Sequence, residues 1–362
     1  GCPSHLLEPS RLQLIQYSED FSDASWTKGG TSVTSGFVSP DGTLNADKIT
    51  PTGINEAHQI YQNKTITSNQ SYTISAFMKF GGYRYLECRE TFGGKGIGFD
   101  TTTQTFYGIN TPTSFKGVIL KNGWVRMEAT YTSIGTSAFF LLYSTPILMN
   151  PTFLGDGTSG FYTWGAQLEQ GSYATSYIPT TSSAVTRVAE TANGAGDAST
   201  FNDSEGVLMA EISALANIGS FENISLSNGS SASRVFLFYR NSLNLMEFRV
   251  TVNNSIQMVF QHTIADAKTS NKFAIKYKEN DFAIWINGIE VHTDPNGITF
   301  GSFPLTNLSL DNGQVSSPTD PFKGKTKQLQ YFDSALNDSD LETITSWTSF
   351  TDLANGQTYS IK

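Results

Sequence analysis

Short segments in which apolar and polar residues alternate cover much of the chain and are separated by turn residues. Alternation with a period of two is typical of β-strands that bury one face. Turn sequences such as Ser39-Pro40-Asp41-Gly42 and Lys121-Asn122-Gly123 separate the segments. Between residues 13 and 178 the pattern predicts strands at Gln59–Gln62, Tyr72–Phe80, Tyr83–Glu90, Gly96–Asp100, Trp124–Tyr131, Ala138–Tyr143 and Phe161–Glu169.

Residues 201–346 repeat this pattern with a second set of strands. The turn Asn287-Gly288 predicts a tight hairpin, because these residues readily adopt positive φ angles. One short helix is predicted to begin near residues 337–342, with Asn337 or Ser339 as its N-cap. The predicted strands are Gly206–Ser213, Phe221–Ser227, Arg234–Tyr239, Glu247–Val252, Ile256–His262, Lys272–Lys278, Phe282–Ile286, Leu305–Leu310 and Lys325–Phe332.

Many short strands and almost no helical periodicity predict an all-β protein with two β-sandwich (jelly-roll) domains. Residues 180–200 are rich in Thr, Ser, Ala and Gly, a composition that suits a linker rather than a core. The chain also begins abruptly, which suggests a missing upstream segment. The expected organisation is a lead-in at 1–12, a jelly roll at 13–180, a linker at 181–200, a second sandwich at 201–346 and a C-terminal tail at 347–362.

Composition and charge narrow the classes of partner. Charged residues make up 15% of the chain and the formal net charge is −9. Without a basic face to neutralise phosphates, a nucleic-acid partner is not expected. No apolar run reaches the ~20 residues of a membrane span, so membrane insertion is not expected either.

The N-terminal half carries motifs in a fixed order: Leu6-Leu7-Glu8-Pro9, Tyr17-Ser18-Glu19-Asp20-Phe21-Ser22, Trp164-Gly165-Ala166-Gln167-Leu168-Glu169 and Thr175-Ser176-Tyr177-Ile178-Pro179. In this order they resemble a module of phage tail-fibre and virion structural proteins. The resemblance implies a jelly roll similar to carbohydrate-binding modules. Two residues depart from the family pattern, Ser10 where the family usually has Gln and Gln13 near the usual Asn, and both departures concern the lead-in rather than the sandwich.

The C-terminal half resembles concanavalin A-like and laminin-G-like lectin domains. Lys272–Tyr277 followed by Phe282–Gly288 is similar to their central hairpin, and residues 323–338 are similar to their closing strand and short helix. The resemblance implies a concanavalin A-like sandwich, and it implies the fold rather than the ligand.

Strand alternation in the N-terminal half predicts a sugar-binding face. If Ile74, Ala76, Met78, Leu86, Cys88, Val125 and Met127 fill the core, the alternate side chains point outward. The outward set combines aromatic rings with charged groups, as a sugar platform requires. The candidate ligand-binding residues are Phe77, Lys79, Tyr85, Glu87, Arg89, Trp124 and Arg126. In the alternative interpretation a loop or a neighbouring subunit covers Phe77 and Trp124. Tyr239, Trp285 and His292 are weaker candidates in the second domain.

Catalysis is not expected. A retaining glycosidase needs two carboxylates about 5–5.5 Å apart. Glu279-Asn280-Asp281 supplies half of such a motif, but Ile284 stands where the second acid is needed, and Asn280-Asp281 reads as a turn. No cofactor is assigned from the sequence, although a structural calcium could be held by Asp41/Asp47, Asp311/Asn312 or Asp338/Asp340.

These observations predict a phage fibre or spike protein that binds host surface glycans without catalysis. Two alternatives stay open: a purely structural fibre or capsid-decoration subunit, and an accessory module of a polysaccharide-degrading enzyme. The expected partners are host cell-surface polysaccharide and other virion proteins. We expect a homo-oligomer, with a trimer favoured, on the virion surface.

Overall fold

Strands account for nearly all of the regular structure in the computed structural model, which describes residues 4–91, 94–216, 221–242 and 244–347. One short helix, α1 (Asp338–Thr345), lies near the end of the described chain. In chain order the strands are β1 (His5–Leu6), β2 (Arg11–Gln13), β3 (Thr27–Gly29), β4 (Thr31–Phe37), β5 (Ala46–Pro51), β6 (Asn55–Ala57), β7 (Gln59–Thr65), β8 (Ser71–Gly81), β9 (Tyr85–Arg89), β10 (Gly96–Asp100), β11 (Thr105–Ile109), β12 (Ser114–Ile119), β13 (Trp124–Thr132), β14 (Ser137–Thr145), β15 (Thr152–Leu154), β16 (Gly160–Gln170), β17 (Val185–Arg187), β18 (Glu205–Ala214), β19 (Glu222–Ser227), β20 (Arg234–Tyr239), β21 (Leu245–Val252), β22 (Ser255–Thr263), β23 (Asn271–Lys278), β24 (Phe282–Ile286), β25 (Ile289–Asp294), β26 (Asn307–Ser309) and β27 (Gly324–Phe332).

The strands divide between two compact units. The N-terminal sandwich spans Ser10–Val188, and the C-terminal sandwich comprises the described residues of Gly1–Pro9 and Ala189–Lys362. Each unit buries its own hydrophobic cluster. The predicted fold class, an all-β chain built of jelly-roll sandwiches, is confirmed.

Two sheets form the N-terminal sandwich. The β9 sheet has the strand order β11-β10-β9-β14-β7-β3, and the β8 sheet has the order β12-β13-β8-β16-β2-β17, with β5 paired to β16 and β4 paired to β5. Ile74, Ala76 and Met78 of β8 share one core with Leu86 and Cys88 of β9, and all five are 0–1% exposed. The predicted alternation of these strands is therefore confirmed.

The C-terminal sandwich is built in the same way. The β18 sheet has the order β1-β27-β18-β23-β24-β25, and the β20 sheet has the order β22-β21-β20-β19-β26. A separate small cluster joins Leu341 of α1 to strand residues that include Met209, Ala274 and Trp285. Trp285 therefore serves packing rather than ligand binding, as does Tyr239, which is 2% exposed within the main core.

Several local sequence signals that concern one strand or one turn are confirmed, whereas the predicted strand Leu305–Leu310 is limited to Asn307–Ser309. Gly96–Asp100, Arg234–Tyr239 and Phe282–Ile286 begin and end at the predicted residues. Asn287 and Gly288 have φ angles of 51° and 84° at the predicted hairpin. The side chain of Asn337 caps α1 by accepting a hydrogen bond from the Asp340 amide.

The predicted domain boundaries differ from those of the structure. Within the supposed linker, Val185–Arg187 pairs with β2 in the N-terminal sandwich. Further along the same segment, the Leu310 amide donates to the carbonyl of Ala192 in the C-terminal sandwich. The supposed lead-in also contains a paired strand, since His5–Leu6 pairs with β27. Backbone pairing at a sheet edge needs no apolar side chains, so composition could not reveal it. The predicted tail lies outside the described residues except for Trp347.

The described chain contains no helix with the length and apolar character needed to cross a membrane.

A buried carboxyl group in the C-terminal sandwich should make its stability depend on pH. Glu222 is 7% exposed, and its carboxylate accepts a hydrogen bond from the Lys323 amide at 3.3 Å. Burial raises the pKa of Glu222 to about 8, although the hydrogen bond and the charge of Lys323 oppose that shift. The folded state therefore keeps a proton that the unfolded chain releases near pH 4.5.

We predict that the stability of the C-terminal sandwich falls as pH rises from about 4.5 to about 8, because only the folded state binds that proton. Glu222→Gln should remove this slope and stabilise the protein at pH 8 by on the order of a few kcal/mol. Calorimetric unfolding at several pH values measures both effects. Glu279→Gln, at an exposed position of the same sandwich, is the control. A Glu222→Gln variant with the wild-type slope would refute the prediction.

Candidate functional site

The seven predicted ligand-binding residues do not share one face. They form two groups, one on the β8 sheet and one on the β9 sheet. Both groups point away from the common core, because the residues that alternate with them along the strands fill that core. They therefore lie on opposite faces of the N-terminal sandwich, and the prediction of a single binding face is wrong. Phe77, Lys79, Trp124 and Arg126 belong to the β8 sheet, whereas Tyr85, Glu87 and Arg89 belong to the β9 sheet.

On the β8 sheet, the chain covers its own outward aromatic residues. The ring centroid of Phe77 lies 5.1 Å from that of Trp164 and 6.4 Å from that of Tyr177. Arg126 donates a hydrogen bond of 2.6 Å to the carbonyl of Thr175 and also pairs with Glu128. The alternative interpretation, in which a loop covers this face, is therefore the one observed.

Residues of the segments 164–169 and 175–179 hold this covering loop in place. Glu169 is fully buried and accepts hydrogen bonds from the amide and the hydroxyl of Thr175. Gln167 donates to Glu169 and accepts a hydrogen bond of 2.7 Å from the Ile178 amide. In this structure, these motif residues bind the loop to the sheet.

On the β9 sheet, Glu87 and Arg89 form a buried ion pair with 0% and 4% exposure. Two nitrogens of Arg89 donate to one oxygen of Glu87 at 2.6 and 2.9 Å. The hydroxyls of Tyr107 and Tyr143 also donate to Glu87, as does the amide of Met149. Burial and the negative charge of Glu87 raise the pKa of both tyrosines. The prediction that Glu87 and Arg89 face solvent is contradicted, because tyrosines and a loop cover them.

Two clefts open where β8 ends and β13 begins. One cleft, of about 460 Å³, contains two of the predicted residues, Lys79 and Trp124, together with residues 38–40 and 120–122. Trp124 is only 2% exposed because it packs in a small cluster with Ala46 and Trp164. It therefore forms part of the wall and offers little ring surface to a ligand.

The other cleft, of about 490 Å³, lies at the open mouth between the two sheets and is called here the mouth cleft. Phe80 at the end of β8 and Ile119 at the end of β12 are its exposed apolar groups, with 50% and 51% exposure. Its full lining is Phe80, Gly82, Arg84, Phe99, Thr101, Thr102, Gln104, Ile119, Gly123 and Val125. The cleft thus combines exposed apolar side chains with hydrogen-bonding groups.

Arg84 is held in a fixed orientation at the mouth cleft. It donates to both carboxylate oxygens of Asp100, at 2.9 and 2.7 Å, and its guanidinium carbon lies 4.9 Å from the ring centroid of Tyr85. The hydrogen bond from Arg84 holds the pKa of Asp100 well below its usual range. The Arg84 side chain remains 45% exposed, so it can still donate to a ligand.

Gly82 shapes the same cleft. Its φ of +137° favours glycine, and a Cβ at this position would lie 2.4 Å from the Ser159 side chain. The chain can therefore turn sharply after Phe80.

Sequence reasoning missed Phe80, Arg84, Gln104 and Ile119. Alternation places Phe80 on the same side of the strand as the core residue Met78, so Phe80 was not among the outward candidates. Near the end of a strand, however, the opposite sheet no longer covers an inward side chain. The Gly81-Gly82 pair that follows Phe80 is the signal that could have marked this position.

The glycosidase motif does not assemble. Asn280 has a φ of 56°, and the Asp281 amide donates to the Lys278 carbonyl. Residues 278–281 therefore form the predicted turn. Asp281 pairs with Lys276 at 2.6 Å, while Ile284 is fully buried. No second carboxylate replaces Ile284 in this motif.

Three of the predicted calcium ligands accept hydrogen bonds from other residues of the chain. Asp41 accepts hydrogen bonds from Ser39 and Thr43, and Asp47 accepts one from the Phe21 amide. Asp311 accepts one from the Gly313 amide. Among the described residues, no group of three or more His, Cys, Asp or Glu side chains is arranged to hold a metal ion. A structural calcium stays a prediction.

The chain is similar to several solved structures at low sequence identity. The CBM40 module of the Ruminococcus gnavus IT-sialidase, bound to α2,3-sialyllactose, is 16% identical with a TM-score of 0.36, over 43% of this chain and 94% of that chain. The leech intramolecular trans-sialidase is 15% identical with a TM-score of 0.35, over 41% and 24%. The heptameric SAP-like pentraxin of Limulus polyphemus is 13% identical with a TM-score of 0.33, over 40% and 71%.

No protein-family model matches the chain, and no curated protein matches it by sequence.

We predict that Arg89→Ala lowers the free energy of unfolding of the N-terminal sandwich by about 3–5 kcal/mol, because it leaves the Glu87 carboxylate buried and unpaired. The double variant Glu87→Gln/Arg89→Met should lose less stability, since no charge remains buried. Chemical denaturation measures both, with Lys116→Ala at an exposed site as the control. A loss below about 1 kcal/mol for Arg89→Ala would mean that the ion pair is not structural.

Proposed function

We propose that this chain is a non-catalytic carbohydrate-binding protein and that the mouth cleft of the N-terminal sandwich is its glycan site. One observation carries the proposal. Phe80 is half exposed in a cleft of about 490 Å³, with Arg84 and Gln104 as polar groups in the same lining. Sugars present apolar C–H faces and a rim of hydroxyls, and this combination suits both.

The chemistry of each residue defines its role. The ring of Phe80 offers a surface for the C–H face of a pyranose. Arg84 is already oriented by Asp100, so little side-chain entropy is lost when it donates to a sugar hydroxyl. Gln104 can both donate and accept, which matches the mixed hydrogen bonding of hydroxyl groups.

At the biological level, we propose an adhesin on the surface of a phage virion that recognises polysaccharide of the host cell. The ordered motifs from Leu6 to Pro179 and the sandwich fold support this proposal. Other virion proteins would be its structural partners, in a homo-oligomer for which a trimer is favoured. A purely structural fibre subunit is the second candidate, since the motif residues Gln167 and Glu169 form hydrogen bonds that fix a loop.

We predict that Phe80→Ala weakens glycan binding about tenfold or more, because a stacking aromatic ring typically contributes 1–3 kcal/mol. Arg84→Gln should also weaken glycan binding. Screening the full chain on an array of bacterial surface glycans identifies a ligand, and titration calorimetry then measures the affinities. Phe115→Ala is the matched control, because Phe115 is 47% exposed on the same sheet but does not line the cleft.

Three results would separate the candidate functions. Binding that Phe80→Ala and Arg84→Gln both leave intact would exclude the mouth cleft as the site. A chain that binds no glycan on the array would favour the purely structural subunit. Release of reducing ends from a bound polysaccharide would show catalysis and would contradict the proposal.

A further inference from the structure

The outer face of the β20 sheet carries a second cluster of aromatic and charged side chains. Val235 and Leu237 of β20 point into the core, so Arg234, Phe236 and Phe238 point to the other face. Register places Arg249 of β21 directly opposite Phe236. This face belongs to the C-terminal sandwich and is distinct from the mouth cleft.

Two arginines cover one aromatic ring at the centre of this face. The guanidinium carbons of Arg234 and Arg249 lie 4.1 and 5.5 Å from the ring centroid of Phe236. Phe238 stacks beside Phe236 at 5.1 Å with an interplanar angle of 12°. Phe236 is only 3% exposed, so the guanidinium groups rather than the ring form the accessible surface.

A buried carboxylate orients one of these arginines and a third arginine beside it. Glu247 is fully buried and pairs through one oxygen with Arg240 and through the other with Arg249. Gln261 adds a hydrogen bond of 2.8 Å to the same carboxylate. The Arg240 and Arg249 side chains nevertheless remain 31% and 30% exposed.

Arg234 has no such carboxylate. Within the ranges that the structure describes, its one hydrogen bond runs from Nη1 to the carbonyl of Asn312 at 2.5 Å. Its Nε is buried without an acceptor, and so is the Nε of Arg249. A partly buried guanidinium that is neither paired nor fully hydrogen-bonded is costly, and an anion would relieve that cost.

The balance of charge on this face favours an anion with a single charge. Burial and the nearby charge of Arg249 lower the pKa of Arg234, and Asp320 opposes that shift. Among the described residues, three arginines (Arg234, Arg240 and Arg249) thus stand against the two carboxylates that pair with them or act on their charge, those of Glu247 and Asp320. One net positive charge remains, on a chain whose formal net charge is −9. A carboxylate matches this excess better than a doubly charged phosphate.

We propose that the outer face of the β20 sheet binds a carboxylate-bearing saccharide, such as a uronic acid residue of an acidic polysaccharide. Arg234 and Arg249 bind the carboxylate, since guanidinium groups suit its planar geometry. Val259 and Gln261 are exposed on the adjacent strand, opposite Arg249 and Glu247, and contact the body of the sugar. This site goes beyond the proposed function, because it does not depend on the mouth cleft.

The test uses the full chain with hexasaccharides of hyaluronan and of polygalacturonate, each beside its carboxyl-reduced form. Calorimetry at low and moderate salt should show that an acidic hexasaccharide binds and that its affinity falls as salt increases. The carboxyl-reduced form should bind with an affinity lower by about tenfold or more. Arg234→Gln should weaken acidic-sugar binding to a similar degree. Its thermal midpoint should stay unchanged or rise, because the variant removes an unpaired charge.

Two control variants separate this site from other causes. Lys278→Gln makes the same change of charge on the β18 sheet of the same sandwich, and it should bind as the wild type does. Phe80→Ala should also leave this binding intact, so failure of the mouth cleft and failure of this site are distinguishable. If Arg234→Gln does not fold, Arg234→Lys is the replacement variant. It keeps the positive charge but loses the planar guanidinium group, so it should still weaken binding of the acidic sugar.

Several outcomes would overturn the inference. These are no binding of either acidic hexasaccharide, equal binding of the acidic and carboxyl-reduced forms, or wild-type affinity in a folded Arg234 variant. Tighter binding of mannose 6-phosphate than of the acidic sugars would show that the face selects phosphate instead.

Discussion

The packing of every second side chain of β8 and β9 into a shared core is the constraint on which the N-terminal sandwich depends. Ile74, Ala76 and Met78 must meet Leu86 and Cys88 across the core, and a shift of one residue would place charged groups there. The same alternation turns Phe77, Glu87 and Arg89 outward. What happens on those outward faces then depends on which other parts of the chain lie over them.

Covering segments convert outward faces into buried ones. The loop around Thr175 lies over Phe77, and Tyr107, Tyr143 and the amide of Met149 surround Glu87. Because burial of a carboxylate is costly, the buried Glu87 requires Arg89 and several hydrogen-bond donors as partners. The aromatic and charged residues that suggested a sugar platform instead form a covered polar layer, in which the charged groups are paired and hydrogen-bonded.

The two proposed binding surfaces arise in physically different ways. The mouth cleft exists because the opposite sheet does not cover the end of β8, which leaves Phe80 half exposed. The face of the β20 sheet exists because its arginines exceed the carboxylates available to pair with them. Glu247 resembles Glu87 in being a buried carboxylate bound to arginine, yet Arg240 and Arg249 remain partly exposed beside it. One surface is therefore defined by shape and the other by charge.

The sequence by itself determined the all-β class, most strand positions, the hairpin at Asn287-Gly288 and the Asn337 cap, because each depends on residues close together in the chain. Tertiary structure alone decided that Phe77 and Glu87 lie on opposite faces, that Phe80 is exposed, and that residues 181–200 pair with both sandwiches. The choice of strand partners and of covering loops depends on contacts between residues far apart in sequence. Side-chain alternation says which face a residue takes, but it cannot say what lies on that face.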